Sequence, residues 1–161
     1  MCVELRELIE SAVATLEGIA RRKKIEVSVR IEGGGPVSVD GKLVRRAVED
    51  LLGNALKYTP PGRDVSVAVR HTSGALVIEV ADRGPGIPAE KRAGMLGDEP
   101  DSNHPGMHQG VGLGLYMVER VASGHGGKLG ILDREGGGAI FRLELRVDAP
   151  GESAQARDGA S

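Results

Sequence analysis

The spacing of hydrophobic residues changes along the chain between a helical period and a strand-like alternation. Helical spacing predicts helices over residues 3–22, 45–60 and 113–123. Alternating or short apolar runs predict strands over residues 25–32, 37–39, 65–69, 75–81, 128–132 and 139–147. This order favours an α+β two-layer sandwich, with three main helices on one face of a mixed, mostly antiparallel sheet.

Two stretches lack a clear pattern. Residues 88–110 contain several glycines and prolines, and a loop of this length is usually a functional lid or disordered. We interpret it as a lid. Residues 148–161 are small and polar, which predicts a disordered tail after a single domain over residues 1–147.

Composition excludes several classes of protein. The net charge of −2 provides no basic surface for nucleic acid or for a membrane. One cysteine rules out a disulfide framework and fits a reducing compartment. No apolar run approaches the roughly 20 residues of a membrane span, so we expect a cytoplasmic domain.

The helix over residues 45–60 carries polar residues on one face. Asp50, Asn54 and Lys57 are spaced i, i+4 and i+7, so their side chains form a row. The amide oxygen of Asn54 suits Mg²⁺, and Lys57 supplies a positive charge for a phosphate. Taken alone, the row is equally compatible with the solvated edge of an amphipathic helix.

Two glycine-containing stretches add candidate chemistry. Asp82 follows a predicted strand and begins the run DRGPGIP, where a carboxylate can accept the exocyclic amine of a purine. An ordinary turn is the alternative there. The run GVGLGL, residues 110–115, leads into a helix whose first N–H groups can bind phosphate. A dinucleotide-binding fingerprint is excluded because a lid precedes these glycines and the later strands form a hairpin.

Together, DLLGNALKYTP, DRGPGIP and GVGLGL resemble the asparagine box and the two glycine boxes of the ATP-binding domain of sensor histidine kinases. The wider superfamily includes gyrase, mismatch-repair ATPases and a class of chaperones. The resemblance covers residues 3–147 and implies a Bergerat-type fold that binds ATP with Mg²⁺.

The resemblance also implies roles for individual residues. Asn54 coordinates Mg²⁺, Lys57 meets phosphate, Tyr58 lies against the adenine and Asp82 holds the adenine amine. Asp50 stands where kinases often have asparagine and hydrolysing relatives have glutamate, so it is either a second Mg²⁺ ligand or a base. The remaining implied site residues, in the adenine pocket and at the phosphates, are Gly84, Gly86, Ile87, Gln109, Gly110, Val111, Gly112, Leu113 and Gly114.

None of the four histidines has the context of a phosphoacceptor, which is typically a histidine followed by an acidic residue in a helical hairpin. We expect His71 in a turn, His104 and His108 in the lid, and His125 as a structural part of a helix end. The resemblance therefore implies an acceptor on a dimerisation domain absent from this chain or on a partner protein, with a response regulator downstream. We expect the isolated domain to be a monomer, and a longer protein could be anchored in a membrane.

Two other functions stay open. A self-sufficient ATPase or a protein serine kinase of the same fold is favoured by Asp50 at the base position. A non-catalytic nucleotide-binding module is favoured by two departures from the family pattern: the lid has no arginine after Arg92, and the phenylalanine-bearing box is absent. Ala139 is a further departure, since it stands where a threonine often contacts adenine through water.

Overall fold

The computed structural model describes residues 2–33, 35–72, 74–86 and 111–147. Its elements in chain order are β1 (Cys2–Glu4), α1 (Leu5–Lys23), β2 (Glu26–Glu32), β3 (Pro36–Ser38), α2 (Gly41–Tyr58), β4 (Asp64–Thr72), β5 (Ala75–Ala81), α3 (Val111–Gly124), β6 (Lys128–Asp133) and β7 (Ala139–Arg146). The lid predicted over 88–110 and the tail over 148–161 lie outside the described residues, as do Ile87, Gln109 and Gly110.

Five strands form the main sheet in the order β2-β4-β5-β7-β6. β2 runs parallel to β4, and the other three pairings are antiparallel. Alternate residues of β4 are buried, among them Val65, Val67 and Val69. This alternation gives the sheet one apolar face, on which the helices pack.

The three helices of the described chain cover that apolar face. α2 lies in the middle, with α1 packed on one side of it and α3 on the other, and it also contacts the central strand β5. Among the described residues, the buried hydrophobic side chains are aliphatic apart from Phe141. These layers confirm the predicted α+β two-layer sandwich. None of the described helices is long and apolar enough to cross a membrane.

The N-terminal residues correct one prediction. Residues 2–4 form a strand instead of the first turn of a helix, and Val3 pairs with Val37 of β3. The backbone N–H of Leu5 then donates to the carbonyl of Gly35 at 3.1 Å. Val3 fits the apolar stripe of α1 equally well on sequence, so only the distant pairing with β3 decides its conformation.

The structure also corrects the position of His71. The prediction of a turn was wrong, because β4 continues to Thr72 and pairs with Ala75 at the start of β5. The pairing places His71 opposite Leu76, on the covered face of the sheet, where it is 3% exposed. The sequence predicted only residues 65–69 as a strand, because the residues that follow in β4 are polar.

The N-terminus of α2 is held by the side chain of Asp40, the residue before it, and by that of His125, the residue after α3. The Asp40 carboxylate accepts the N–H of Leu43 at 3.2 Å and so caps the helix, which begins four residues before the predicted residue 45. The N–H of Asp40 donates to Nε2 of His125 at 3.2 Å, while Nδ1 of His125 lies 2.8 Å from the Val121 carbonyl. Nε2 must therefore be unprotonated and Nδ1 must carry the proton, and the predicted structural role of His125 is confirmed.

The C-terminus of α2 is held by α1. The Lys23 ammonium donates to the carbonyl oxygens of Leu56 at 2.5 Å and Lys57 at 3.2 Å. These carbonyls have no acceptor role within the helix, and a cation at this end also interacts favourably with the helix dipole. α2 is thus fixed at one end by Lys23 of α1 and at the other by Asp40 and by His125, which follows α3.

We predict that Lys23→Met lowers the free energy of unfolding by about 1–2 kcal/mol, because two helix-end carbonyls lose a charged donor while the apolar stem is kept. Urea denaturation measures the change. Arg22→Met is the matched control, since Arg22 is exposed in the same turn, and it should stay within about 0.5 kcal/mol of wild type. Equal effects of the two substitutions would contradict the role of Lys23.

Candidate functional site

The polar row of α2 includes a buried group without a partner. Nδ2 of Asn54 is inaccessible to water, yet it has no hydrogen bond within the described structure. Leaving such a group unpaired costs about 1–3 kcal/mol. Nδ2 is a hydrogen-bond donor, so the group that would pair it is an acceptor such as a phosphate oxygen, whereas a cation would be bound by the amide oxygen of the same side chain.

Asp50, one turn before Asn54, is a partly buried carboxylate whose ion pair does not offset the cost of burying its charge. Its side chain is 21% exposed, and its ion-pair partner is Arg46, whose Nε lies 3.3 Å from Oδ1. Burial raises the pKa of Asp50 and outweighs the opposing hydrogen bond and charge of Arg46, with a smaller contribution from the negative charge of Glu49. A cation beside Asp50 would relieve this cost.

Lys57 and Tyr58 end the row at the last turn of α2. The Lys57 ammonium lies 5.5 Å from the centre of the Tyr58 ring. Tyr58 is 42% exposed, so part of its ring surface is open to a flat ligand. Stacking on the ring of an aromatic side chain is a common way to bind an aromatic base.

Asp82 lies directly after β5 and is 3% exposed. Its Oδ1 accepts the N–H of Gly84 at 2.9 Å and the N–H of Ala139 at 3.1 Å. The Asp82 N–H in turn donates to the Ala139 carbonyl at 2.9 Å. The carboxylate therefore has a fixed orientation, set by its own turn and by the first residue of β7.

Two glycines allow three segments to meet at Asp82. A Cβ on Gly84 would lie 2.9 Å from the Tyr58 carbonyl and 3.3 Å from Oδ1 of Asp82. A Cβ on Gly138 would overlap the carbonyl oxygen of Asp82, and Gly138 also has φ +112°. The end of α2, the turn after β5 and the start of β7 thus form one continuous surface.

Thr59 completes this junction and was missed in the sequence. Its hydroxyl oxygen accepts the N–H of Arg83 at 3.0 Å, and Thr59 is 1% exposed. The contact ties the residue after α2 to the residue after Asp82. A threonine next to Pro60, which ends the helix, indicated a polar contact at this position. Its partner Arg83 could not be inferred, because it lies 24 residues further along the chain.

The third predicted element of the site is the start of α3. The helix begins at Val111, two residues before the predicted start, so Gly112, Leu113 and Gly114 belong to its first turn. The first N–H groups of a helix have no partner within it and favour an anion. The structure therefore places this part of the glycine-rich run at a helix start, as predicted.

No metal site is complete within the described part of the protein, which contains no cluster of three or more histidine, cysteine or acidic side chains arranged to hold an ion. Asn54 and Asp50 provide two oxygen-bearing side chains at one turn's spacing. Mg²⁺ commonly takes its other ligands from water and substrate phosphates. The donor set fits an ion that arrives with a nucleotide.

A family model described as histidine kinase-, DNA gyrase B-, and HSP90-like ATPase matches residues 39–149. The chain belongs to this ATPase family. The matched region of the ATPase family model includes Asp40, all of α2, Asp82 and α3. Every described part of the candidate site therefore lies within it.

Individual relatives agree with the family. The chain is 32% identical over 150 residues to the sensor histidine kinase TmoS of Ectopseudomonas mendocina, covering 91% of this chain and 15% of TmoS. Among solved structures, the mycobacterial sensor histidine kinase MprB has a TM-score of 0.73 at 30% identity, covering 92% of this chain and 98% of that one. Full-length ShkA in complex with AMPPNP has a TM-score of 0.79 at 25% identity, covering 92% of this chain and 31% of ShkA. The resemblance to sensor histidine kinases is confirmed.

We predict that Asp50→Asn raises the free energy of unfolding at pH 8 by about 0.5 kcal/mol, because it removes a partly buried charge. The raised pKa fixes the sign, since ionisation of Asp50 costs the folded state more than the unfolded one. The penalty is present above the folded-state pKa and is absent below the ordinary aspartate pKa, so the variant and wild type should converge near pH 3. Urea denaturation across this range measures the difference, and a variant less stable at pH 8 would contradict the account.

Proposed function

We propose that this chain binds ATP together with Mg²⁺ and presents the γ-phosphoryl to a histidine on a domain absent from this chain. The observation that carries the proposal is the junction of Asp82 with the end of α2, which combines a fixed carboxylate with the Asn54 row. A purine and a polyphosphate need those two chemistries side by side. The bound AMPPNP of the related ShkA supports the choice of nucleotide.

The adenine end of the site is argued from Asp82. Both described hydrogen bonds of its carboxylate use Oδ1, so Oδ2 is the oxygen available to accept the adenine amine. Gly84 and Gly86 are proposed to line the adenine pocket, and the absence of a Cβ on Gly84 lets this turn lie close to the Tyr58 carbonyl. The partly exposed Tyr58 ring is proposed to lie against the base.

The phosphate end is argued from α2 and from the start of α3. Asn54 and Asp50 would hold Mg²⁺, and Lys57 would contact a phosphate oxygen. When bound, Mg²⁺ would offset the negative charge of the phosphates, which is the main requirement of phosphoryl transfer beyond positioning. The helix-start N–H groups, with Gln109 and Gly110 before them, are proposed to face the same phosphates.

The acceptor is proposed to be external because none of the four histidines has the sequence context of a phosphoacceptor, and the two described ones are also held within the fold. Of the two histidines that the structure describes, His71 is buried in β4 and His125 has both ring nitrogens engaged. Neither can reach a phosphoryl group. In the proposed step an external histidine nitrogen forms a bond to the γ-phosphorus as the bond to the ADP oxygen breaks.

The wider role follows from the relatives and belongs to the same proposal. The chain spans 15% of the length of TmoS and 31% of ShkA, so a sensor histidine kinase would supply the acceptor domain from elsewhere in its length. We propose a cytoplasmic domain in two-component signalling, with a response regulator receiving the phosphoryl group downstream.

One observation favours a second candidate, hydrolysis of ATP by the domain itself. Burial raises the pKa of Asp50, which stands where hydrolysing relatives carry a base. Steady phosphate release by the isolated chain that Asp50→Asn abolishes would support this candidate. If the isolated chain releases no phosphate, transfer to an external histidine stays the proposed activity.

We predict that Asp82→Asn weakens ADP and AMPPNP at least about tenfold, because the charged acceptor for the adenine amine is lost. Calorimetric titration with and without Mg²⁺ measures this, and Mg²⁺ should tighten AMPPNP binding to wild type. In Asp50→Asn, the Mg²⁺ effect should shrink while binding without Mg²⁺ persists.

Asp40→Asn is the matched control for that titration, since it makes the same chemical change at the opposite end of α2 and asparagine caps helices equally well. It should bind like wild type. If Asp82→Asn also binds like wild type, the adenine site is misplaced. If Asp50→Asn keeps the full Mg²⁺ effect, Asp50 is not a ligand of the ion.

A further inference from the structure

The orientation of Asp82 depends on backbone that has no regular secondary structure. β5 ends at Ala81, and Asp82 and Arg83 follow without helix or strand geometry. The two hydrogen bonds to Oδ1 come from Gly84 in the same turn and from Ala139 at the start of β7. A shift of the backbone at residues 81–83 would therefore re-aim the carboxylate.

Arg134, in the turn between β6 and β7, holds this backbone. Its Nη1 donates to the carbonyls of Ala81 at 3.3 Å and Asp82 at 3.0 Å, the two peptide oxygens on either side of the Asp82 Cα. Its Nη2 donates to Oδ2 of Asp64 at 3.2 Å. The side chain is 13% exposed, so a planar guanidinium is fixed against three acceptors.

Asp64 connects Arg134 to a second arginine. Its Oδ1 lies 3.4 Å from Nε of Arg83, and Nη1 of Arg83 donates to the Glu135 carbonyl at 3.3 Å. Burial acts to raise the pKa of Asp64, but the hydrogen bonds and charges of Arg134 and Arg83 outweigh it and hold the pKa below its ordinary value. Asp64 thus stays ionised at neutral pH and links Arg83, the residue after Asp82, to Arg134, which contacts the carbonyls of Ala81 and Asp82. We call Asp64, Arg83 and Arg134 the arginine clamp.

Stabilisation of the β6–β7 turn does not account for these contacts. That turn is closed by backbone bonds, from the Arg134 N–H to Gly138 and from the Gly137 N–H to Arg134. The guanidinium instead reaches across to the carbonyl of Asp82, which the backbone of Gly138 approaches closely from the same turn. The Asp82 peptide is therefore held by both the side chain and the backbone of one turn.

We propose that Arg134 is a positioning residue, which acts with Asp64 and Arg83 to fix the Asp82 carboxylate and so sets selectivity for the amine of adenine. The inference rests on the proposed function, in which Asp82 meets that amine. Arg134 itself does not touch the nucleotide. Its loss should reduce recognition of the base and leave recognition of the phosphates unchanged.

The test compares ADP with purine riboside diphosphate, which has a hydrogen atom in place of the adenine amine and is otherwise identical. Calorimetry of the full chain gives the ratio of the two affinities. Wild type should prefer ADP about tenfold or more, because purine riboside diphosphate has no amine to donate to the Asp82 carboxylate. In Arg134→Ala the ratio should fall towards one, mainly through weaker ADP binding.

Arg142→Ala is the matched control, since Arg142 forms a 2.7 Å ion pair with Glu79 between β7 and β5 but makes no described contact with residues 81–84. It should keep the wild-type ratio. Arg134→Lys retains the positive charge but loses the planar guanidinium with its several N–H donors. Its ratio of affinities should therefore lie between those of wild type and Arg134→Ala. If Arg134→Ala does not fold, Arg134→Lys replaces it in the test. The inference would then be overturned if Arg134→Lys showed the same ratio of affinities as wild type.

The outcomes separate this inference from the function on which it rests. If wild type binds both nucleotides equally, Asp82 does not meet the amine, and the proposed adenine site fails together with the clamp. If wild type prefers ADP and a folded Arg134→Ala keeps that preference, the positioning role alone is overturned. An equal fall in Arg142→Ala would show that any lost ion pair loosens the sheet, which also overturns it.

Discussion

The site depends on one junction, where the end of α2 meets the turn after β5. A buried threonine hydroxyl makes the decisive contact, since Thr59 accepts the N–H of Arg83 at 3.0 Å. Gly84 lets the Tyr58 carbonyl approach the same turn. Because α2 carries Asn54 and the turn carries Asp82, this junction sets the distance between the two chemistries that a nucleotide needs. Lys23 and His125, which fix the two ends of α2, act on the site through the position of this helix.

The parts of the fold that the sequence predicted are those with a local signal. β5 was predicted over 75–81 as observed, because alternation and the flanking turns mark it without reference to other strands. The row of α2 was predictable because helical spacing alone brings Asp50, Asn54 and Lys57 to one face. The helix start near residue 111 followed in the same way from glycines that precede an apolar stripe.

The parts that the sequence could not predict depend on distant contacts. Val3 belongs to a strand because of Val37, and His71 is covered because β4 pairs beyond its apolar stretch. Arg134 and Asp64 are 70 residues apart, so no spacing rule relates them. A resemblance between motifs also gave no reason to select them, since both lie outside the motifs. The contacts of Arg134 with the carbonyls of Ala81 and Asp82 exist only in the folded chain.

The most direct test of the account is an ADP titration of the isotope-labelled protein followed by backbone amide NMR. The account predicts that the amide signals of Gly84 and Ala139, which hold the Asp82 carboxylate, shift together with those in the last turn of α2. Signals from Val77 and Arg142, in strands β5 and β7 away from this junction, should stay in place. Shifts confined to strand positions away from Asp82, or saturable binding that leaves Gly84 and Ala139 unmoved, would contradict the account.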